Sequence, residues 1–171
     1  MEPTPNGELD AHFSAAYEEL RRLAGSVAAG ERAVTLSPTA LVGEAYLKLA
    51  RAGVPTPDSP LHFRRIAARA MRQVLVEAAR RRRAAKRGSA AAPITLDEAH
   101  AVATGRDLEV LALDEALTEL AALDPRQARL VEYRFFGGLE ITEIAALLGV
   151  SESTLHRDWR AARAWLAVRL G

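Results

Sequence analysis

Cysteine is absent from the 171 residues, which excludes disulfides, thiolate metal sites and cysteine nucleophiles together. Long apolar runs are missing as well. No stretch approaches the roughly 20 apolar residues that span a bilayer, so no membrane association is expected. The opening Met1-Glu-Pro-Thr-Pro-Asn-Gly-Glu8 has no basic region followed by an apolar one, so no signal peptide is expected and the cytoplasm is the expected compartment. The histidines, His12, His62, His100 and His156, are scattered. They show no metal-ligand spacing such as H-E-x-x-H, and there is no Gly-rich phosphate loop. Neither an enzyme nor a metal or cofactor site is therefore expected.

What remains is ordinary in amount and unusual in distribution. Apolar residues make up 49% and charged residues 26%, as in folded soluble proteins. The net charge of +1 conceals an asymmetry. Acids almost vanish from residues 61–87, where 10 Lys/Arg meet only Glu77. Residues 88–149 reverse the sign, with 4 Lys/Arg against 11 Asp/Glu, and residues 150–171 turn basic again, 4 against 2. Two basic blocks separated by an acidic one suggest two contacts with a polyanion.

The second basic block falls in the most informative stretch, Glu140 to Arg160. Ile141, Ile144, Ala145 and Leu148 lie at helical spacing and form one apolar stripe. Gly149 stands where a chain leaving a helix needs positive φ. Val150 returns the chain to the core, and Ser151 or Ser153 is placed to cap the next helix. In that helix Leu155, Trp159, Ala162 and Leu166 are expected to face inward, leaving His156, Arg157, Arg160 and Arg163 outside. A short helix, a Gly turn and a second helix with a basic outer face match a helix-turn-helix, which sets one exposed helix in the DNA major groove.

Elsewhere the pattern is helical and no strand is needed. One helix is expected over Leu9 to Val27, broken at Gly30. A second follows the cap-plus-Pro pair Ser37-Pro38 and runs to about Ala52. Gly53 to Pro60, with three Pro, is an obligatory loop. A long helix from Leu61 to Lys86 carries Phe63, Ile66, Ala67, Ala70, Met71, Val74, Leu75 and Ala78 on its apolar face. Gly88 to Arg106 has no sustained period and reads as a linker, with a short helical turn around Leu96 to Ala101. Amphipathic order returns at Asp107, and Asp124-Pro125 opens a further helix with Ala128, Val131 and Phe135 inward, stopped by Gly137-Gly138. The expected fold is all-α: two small helical domains, 9–87 and 107–171, joined by a flexible linker, 88–106, the C-terminal one a helix-turn-helix.

On the long helix Arg64, Arg65, Arg69, Arg72, Arg80, Arg81, Arg82, Arg83, Lys86 and Arg87 make a basic edge about 35–40 Å long. A helix C-terminus favours cations through its dipole, but this extent exceeds what a cap needs. Phosphate binding is the expected role, which supplies affinity and register without reading sequence.

With these parts in this order, the chain resembles the small two-domain bacterial RNA polymerase sigma factors of the extracytoplasmic-function (ECF) group. The resemblance covers nearly the whole chain. It rests on Leu36 to Leu49, His62-Phe63, Ala67 to Arg72, Val76 to Gly88, the E-I-A-x-x-L-G-V-S-x-x-T-L-like run ending at Leu155, and Arg157 to Leu166. It implies a subunit that binds core RNA polymerase and directs promoter-specific initiation at −10 and −35 elements. The helix Thr39 to Arg51 would dock on the clamp helices of the polymerase largest subunit through Glu44, Tyr46, Leu47 and Lys48, and the C-terminal domain on the flap. Many relatives carry Gln or His where this chain has Gly43.

The same resemblance implies that His62 and Phe63 meet unpaired −10 bases, while Arg64, Arg65, Arg69, Arg72, Arg80, Arg81, Arg82 and Arg83 hold flanking phosphates. Ser153, Thr154, His156, Arg157, Arg160 and Arg163 would meet the −35 duplex, with Arg157 placed for bidentate guanine readout. Asp158 departs from the Arg common in the group. It would repel phosphate unless it pairs with a neighbouring Arg or accepts from cytosine. Promoter DNA and core polymerase are the implied partners, with an anti-sigma factor among the controls the resemblance admits. The rival reading is a stand-alone dimeric helix-turn-helix regulator, which would bind duplex DNA without polymerase.

Overall fold

Side-chain caps decide where the helices start. Ser37 accepts from the Ala40 N–H at 3.1 Å ahead of Pro38. Asp124 accepts from the N–H groups of Arg126 and Gln127 at 3.0 and 3.1 Å ahead of Pro125. Each cap satisfies orphan donors of a first turn whose φ proline has already set. A computed structural model of the chain describes residues 5–29, 36–55, 57–88 and 98–171. Among these it shows only helices: α1 Pro5–Ala29, α2 Pro38–Arg51, α3 Pro60–Gly88, α4 Glu98–Leu123, α5 Pro125–Phe135, α6 Ile141–Leu148 and α7 Glu152–Leu170. The expected break at Gly30, position 56 of the loop, residues 89–97 of the expected linker, and the side chains of Val27, Lys86 and Leu108 lie outside the described residues.

The N-terminal core gathers the stripes of α1, α2 and α3. Leu20, Leu41, Val42, Phe63 and Met71 are all 2% exposed or less. Leu130, Leu139, Ile144 and Leu155 close a second core under the helix-turn-helix. Between the two lies a third cluster, in which Ala68 of α3 is fully buried against Leu117, Leu120, Val131, Phe136 and Ala162. This junction differs from two domains on a flexible tether: in the described arrangement α3 packs directly on α4, α5 and α6. Glycine permits the approach. A Cβ on Gly137 would sit 3.0 Å from the Ala68 Cβ, and one on Gly138 would collide with the Leu23 side chain. Gly137-Gly138, legible as a helix stop, is also where the two halves meet.

Two further differences have local causes. Helix α4 begins at Glu98, so residues 98–106, expected in the linker, are helical. The run Glu98-Ala-His-Ala-Val-Ala is rich in good helix formers, while Gly105 interrupts the period that would have disclosed it. In α5, Phe135 is 48% exposed, whereas Leu130, Tyr133 and, just past the helix end, Phe136 are buried. That helix is covered on two sides: Ala128 and Val131 join the junction cluster and Leu130 and Tyr133 the helix-turn-helix core. A single amphipathic stripe does not describe a helix buried on both flanks.

Candidate nucleic-acid interface

Helix α6 starts with a reciprocal capping box in which the Glu143 carboxylate accepts from the Glu140 N–H at 2.8 Å. It ends at Gly149, whose φ of 65° and ψ of 35° are left-handed. The chain turns there, and the Val150 N–H donates back to the Ala145 carbonyl at 3.2 Å. Ser151 then caps α7, accepting from the Thr154 N–H at 3.3 Å. The turn thus fixes how α7 emerges.

Which face of α7 emerges is settled by what is buried. Leu155 and Ala162 are fully buried and Asp158 is 7% exposed. Asp158 therefore faces inward, where its carboxylate accepts from Arg126 Nε at 2.6 Å and Nη2 at 3.2 Å. That hydrogen bond, with the attraction behind it, holds the Arg126 guanidinium more basic than usual. Of the alternatives open to Asp158, pairing with a neighbouring arginine is the one adopted here. Trp159, expected as the inward anchor, is half-buried, with the Arg134 guanidinium 5.0 Å from its ring centroid. Ser153, His156, Arg157, Arg160 and Arg163 are exposed and Thr154 half-buried. The Arg157 Nη2 donates to Thr154 Oγ1 at 3.5 Å. The structure thus brings these residues together on one outward basic face.

The basic edge of α3 is divided. Arg69, Arg80 and Arg81 are exposed, and Arg65, Arg82 and Arg83 half-buried. Phe63 is 1% exposed and stacks on His12, centroids 6.1 Å apart, so it is core and does not offer a stacking face to a base. His62 lies against Asp58 at 3.2 Å and Arg65 at 2.6 Å. Arg64, expected on phosphate, is 9% exposed. Its Nη1 donates to Glu143 at 2.8 Å and its Nη2 to the carbonyls of Gly138 and Gly137 at 2.9 and 3.3 Å, with Glu19 at 3.0 Å. Arg72 is likewise taken: Nε donates to Asp114 at 3.0 Å and Nη1 to Glu132 at 2.7 Å. Arg80 reaches the same Asp114 at 3.5 Å. Arg64 and Arg72, both expected on phosphate, are thus engaged by the protein's own acids in this arrangement.

Sequence reasoning missed these acids, Asp114, Glu132 and Glu143. Their signal was the −7 block lying after the +9 block, opposite charges in one chain. It also missed Arg129, which shares a cleft of about 680 Å³ with Lys48, Arg65, Arg69 and Tyr133. Burial foremost pushes the Tyr133 hydroxyl above its ordinary value, against the pull of Arg65, so the phenol stays neutral.

On α2, Glu44 is exposed, Leu47 is 42% exposed, and Lys48 pairs with Glu77 at 2.6 Å. Tyr46 turns the other way. Its ring packs on Phe13 at 4.4 Å and its hydroxyl donates to the Asp10 carboxylate, which raises its pKa. Glu44, Leu47 and Lys48 are left on the outer face.

A family model described as ECF sigma factor matches residues 6–171. The chain belongs to the ECF sigma factor family. Members of this family are DNA-binding, non-enzymatic factors of transcription initiation that work with core RNA polymerase and promoter DNA and often with anti-sigma factors. A match running through both halves does not favour the stand-alone dimeric regulator. No curated protein and no solved structure matches the chain. No described helix of this sigma factor is long and apolar enough to cross a membrane.

Proposed function

We propose that this sigma factor addresses core polymerase to promoters through two contacts, α7 on the −35 duplex and the α3 edge with its preceding loop on the −10 element. The observation that carries the reading is the outward set His156, Arg157, Arg160 and Arg163, all exposed on a helix whose opposite side is fixed by Leu155, Asp158 and Ala162. Such a helix enters a major groove with its N-terminal residues nearest the bases. Arg157 is the base reader, its guanidinium matched to guanine O6 and N7, and Arg160 and Arg163 hold phosphates. His62, Arg65, Arg69, Arg80, Arg81, Arg82 and Arg83 serve the −10 element and its backbone. Glu44, Leu47 and Lys48 dock on the clamp helices, and the C-terminal unit, 107–171, on the flap. Residues 9–87 form the polymerase-docking and −10 unit, and the compartment is the cytoplasm.

Catalysis belongs to the polymerase. This chain supplies affinity for one class of start site, and two weak DNA contacts on one carrier act together through effective concentration. Reconstitution with core polymerase and a promoter library tests the reading. The expected result is a transcript set sharing an upstream and a downstream element, with Arg157→Glu erasing preference at the upstream one while polymerase association stays intact. Equal loss of association would overturn the division of labour.

A further inference from the structure

The cations of this chain divide by whether an acid holds them. Arg64, Arg72, Arg126 and Lys48 each meet a carboxylate oxygen at 2.6 to 2.8 Å. Arg65 has instead a ring nitrogen of His62, at 2.6 Å. Arg69 and Arg129 have neither a hydrogen bond nor an ion pair among the described residues. These three guanidinium groups, none of them held by an acid, line one cleft of about 680 Å³, walled by α2 and α3 on one side and by α5 and α6 on the other. Its volume is that of a small-molecule site. Arg65 and Arg69 stand one turn apart on α3, and Arg129 and Tyr133 one turn apart on α5, so each helix turns a pair toward the same space. The acid on the wall, Glu132, is already taken by Arg72 at 2.7 Å.

Tyr133 supplies a second, independent observation. It is 6% exposed, yet its hydroxyl has no hydrogen bond among the described residues, whereas a buried phenol ordinarily finds a partner. It lines the cleft, where Arg65, Arg129 and Arg69 all act on it. Burial keeps the phenol neutral, so it offers a donor and adds no negative charge. An unpaired O–H and three free guanidinium groups around one space match an anion rich in acceptors, and phosphate oxygens fit both kinds of donor. The rest of the wall is apolar, formed by Leu49, Val54, Ile66, Leu147 and Leu148. Phosphate alone, or on a sugar, leaves that surface uncovered, while an attached base covers it. We propose that the cleft binds a diffusible nucleoside phosphate, its phosphate groups on Arg65, Arg69, Arg129 and the Tyr133 hydroxyl and its base against Ile66, Leu147 and Leu148. Arg65 and Arg69 also belong to the edge given to the −10 element, whereas Arg129 and Tyr133 have no part in the promoter reading. They are therefore the positions that test the site.

Calorimetric titration of the full chain with ADP and GDP, and with adenosine, ribose phosphate and inorganic phosphate, is the experiment. One nucleotide per chain is expected, with adenosine, ribose phosphate and inorganic phosphate each about tenfold or more weaker, because each lacks part of the match. Arg129→Gln, at an exposed position without partners, should weaken nucleotide binding about tenfold. Tyr133→Phe keeps the ring in the core and removes only the hydroxyl, and should weaken it about threefold. Arg21→Gln removes an equal charge from α1, outside the cleft, and should leave the affinity unchanged. Wild type that binds neither nucleotide at millimolar concentration would overturn the proposal, whatever the variants do. So would inorganic phosphate bound as tightly as ADP, or Arg21→Gln weakening ADP as much as Arg129→Gln, which would reduce the effect to general attraction of anions. Neither polymerase nor promoter enters these titrations, so their failure leaves the promoter reading standing, and a chain without promoter-specific transcripts leaves the site standing.

Discussion

At the scale of single residues, the separation of inward from outward charge on α7 carries the specificity argument. Arg157 is exposed, and a bidentate guanine contact is worth about 1–3 kcal/mol of discrimination. Arg157→Ala should therefore shrink the ratio of transcription from matched and mismatched upstream elements by that amount, with little change on promoters lacking the element; a uniform loss on all promoters would assign Arg157 to phosphate. Asp158 makes the opposite kind of contribution. Its carboxylate is buried on a half-exposed Arg126, and hydrogen bonds to charged groups contribute about 1.5–3 kcal/mol, discounted here for the solvent on the arginine. Asp158→Ala should lower unfolding stability by about 1–2 kcal/mol in urea titrations, and an unchanged midpoint would contradict the pairing. At the far end of α7, Arg169 donates to Glu119 at 2.7 and 2.8 Å and holds that carboxyl below its ordinary 4.5. A depressed carboxylate stabilises the fold above its unfolded value and stops doing so as pH falls through its folded one. Protection of the last-turn amides of α7, taken relative to their intrinsic exchange rate, should thus fall on acidification below about 4.5 in wild type, and show no such step in Glu119→Gln.

At the scale of elements, helix starts and stops were the most legible feature, because each is a local chemical event. Ser37-Pro38, Asp124-Pro125, Gly149 and Ser151 announce themselves in the sequence and do in the structure what their chemistry requires. Glycine gives two opposite expectations. Gly149 has positive φ, and nothing lies within 4 Å of the place a Cβ would take there, so Gly149→Ala should destabilise the helix-turn-helix by about 1–2 kcal/mol through backbone strain alone. Gly43 lies inside α2, also with nothing within 4 Å, so Gly43→Ala should stabilise the chain by about 0.5–1 kcal/mol; thermal melts of the two variants shifting in the same direction would contradict this. The start of α4 and the burial of Tyr133 and Phe136 were not legible. The first lies in a stretch whose period Gly105 interrupts, and the second belongs to a helix covered from two sides. Of the candidate site, the outward face of α7 followed from its period. The fate of Phe63, Arg64 and Arg72 did not, because one helix cannot tell which of its cations a distant acid will claim.

At the scale of the whole molecule, the chain is charge-separated along its length, and the structure folds the +9 segment onto the −7 segment through Arg64–Glu143 and Arg72–Asp114–Glu132. Composition discloses the attraction but not its partners, since pairing across some tens of residues depends on packing set by Ala68, Gly137 and Gly138. The central claim is that two cationic helices, carried by polymerase, grip separate elements of one promoter. Run-off transcription from templates in which the elements are moved apart measures this most directly. Inserting about five base pairs turns one element to the opposite face of the duplex. The account predicts strong initiation at the native separation, a loss on that insertion as deep as deletion of the upstream element, and no further loss when Arg157→Glu is added. Initiation that is indifferent to the separation, or that survives removal of either element unchanged, would contradict it.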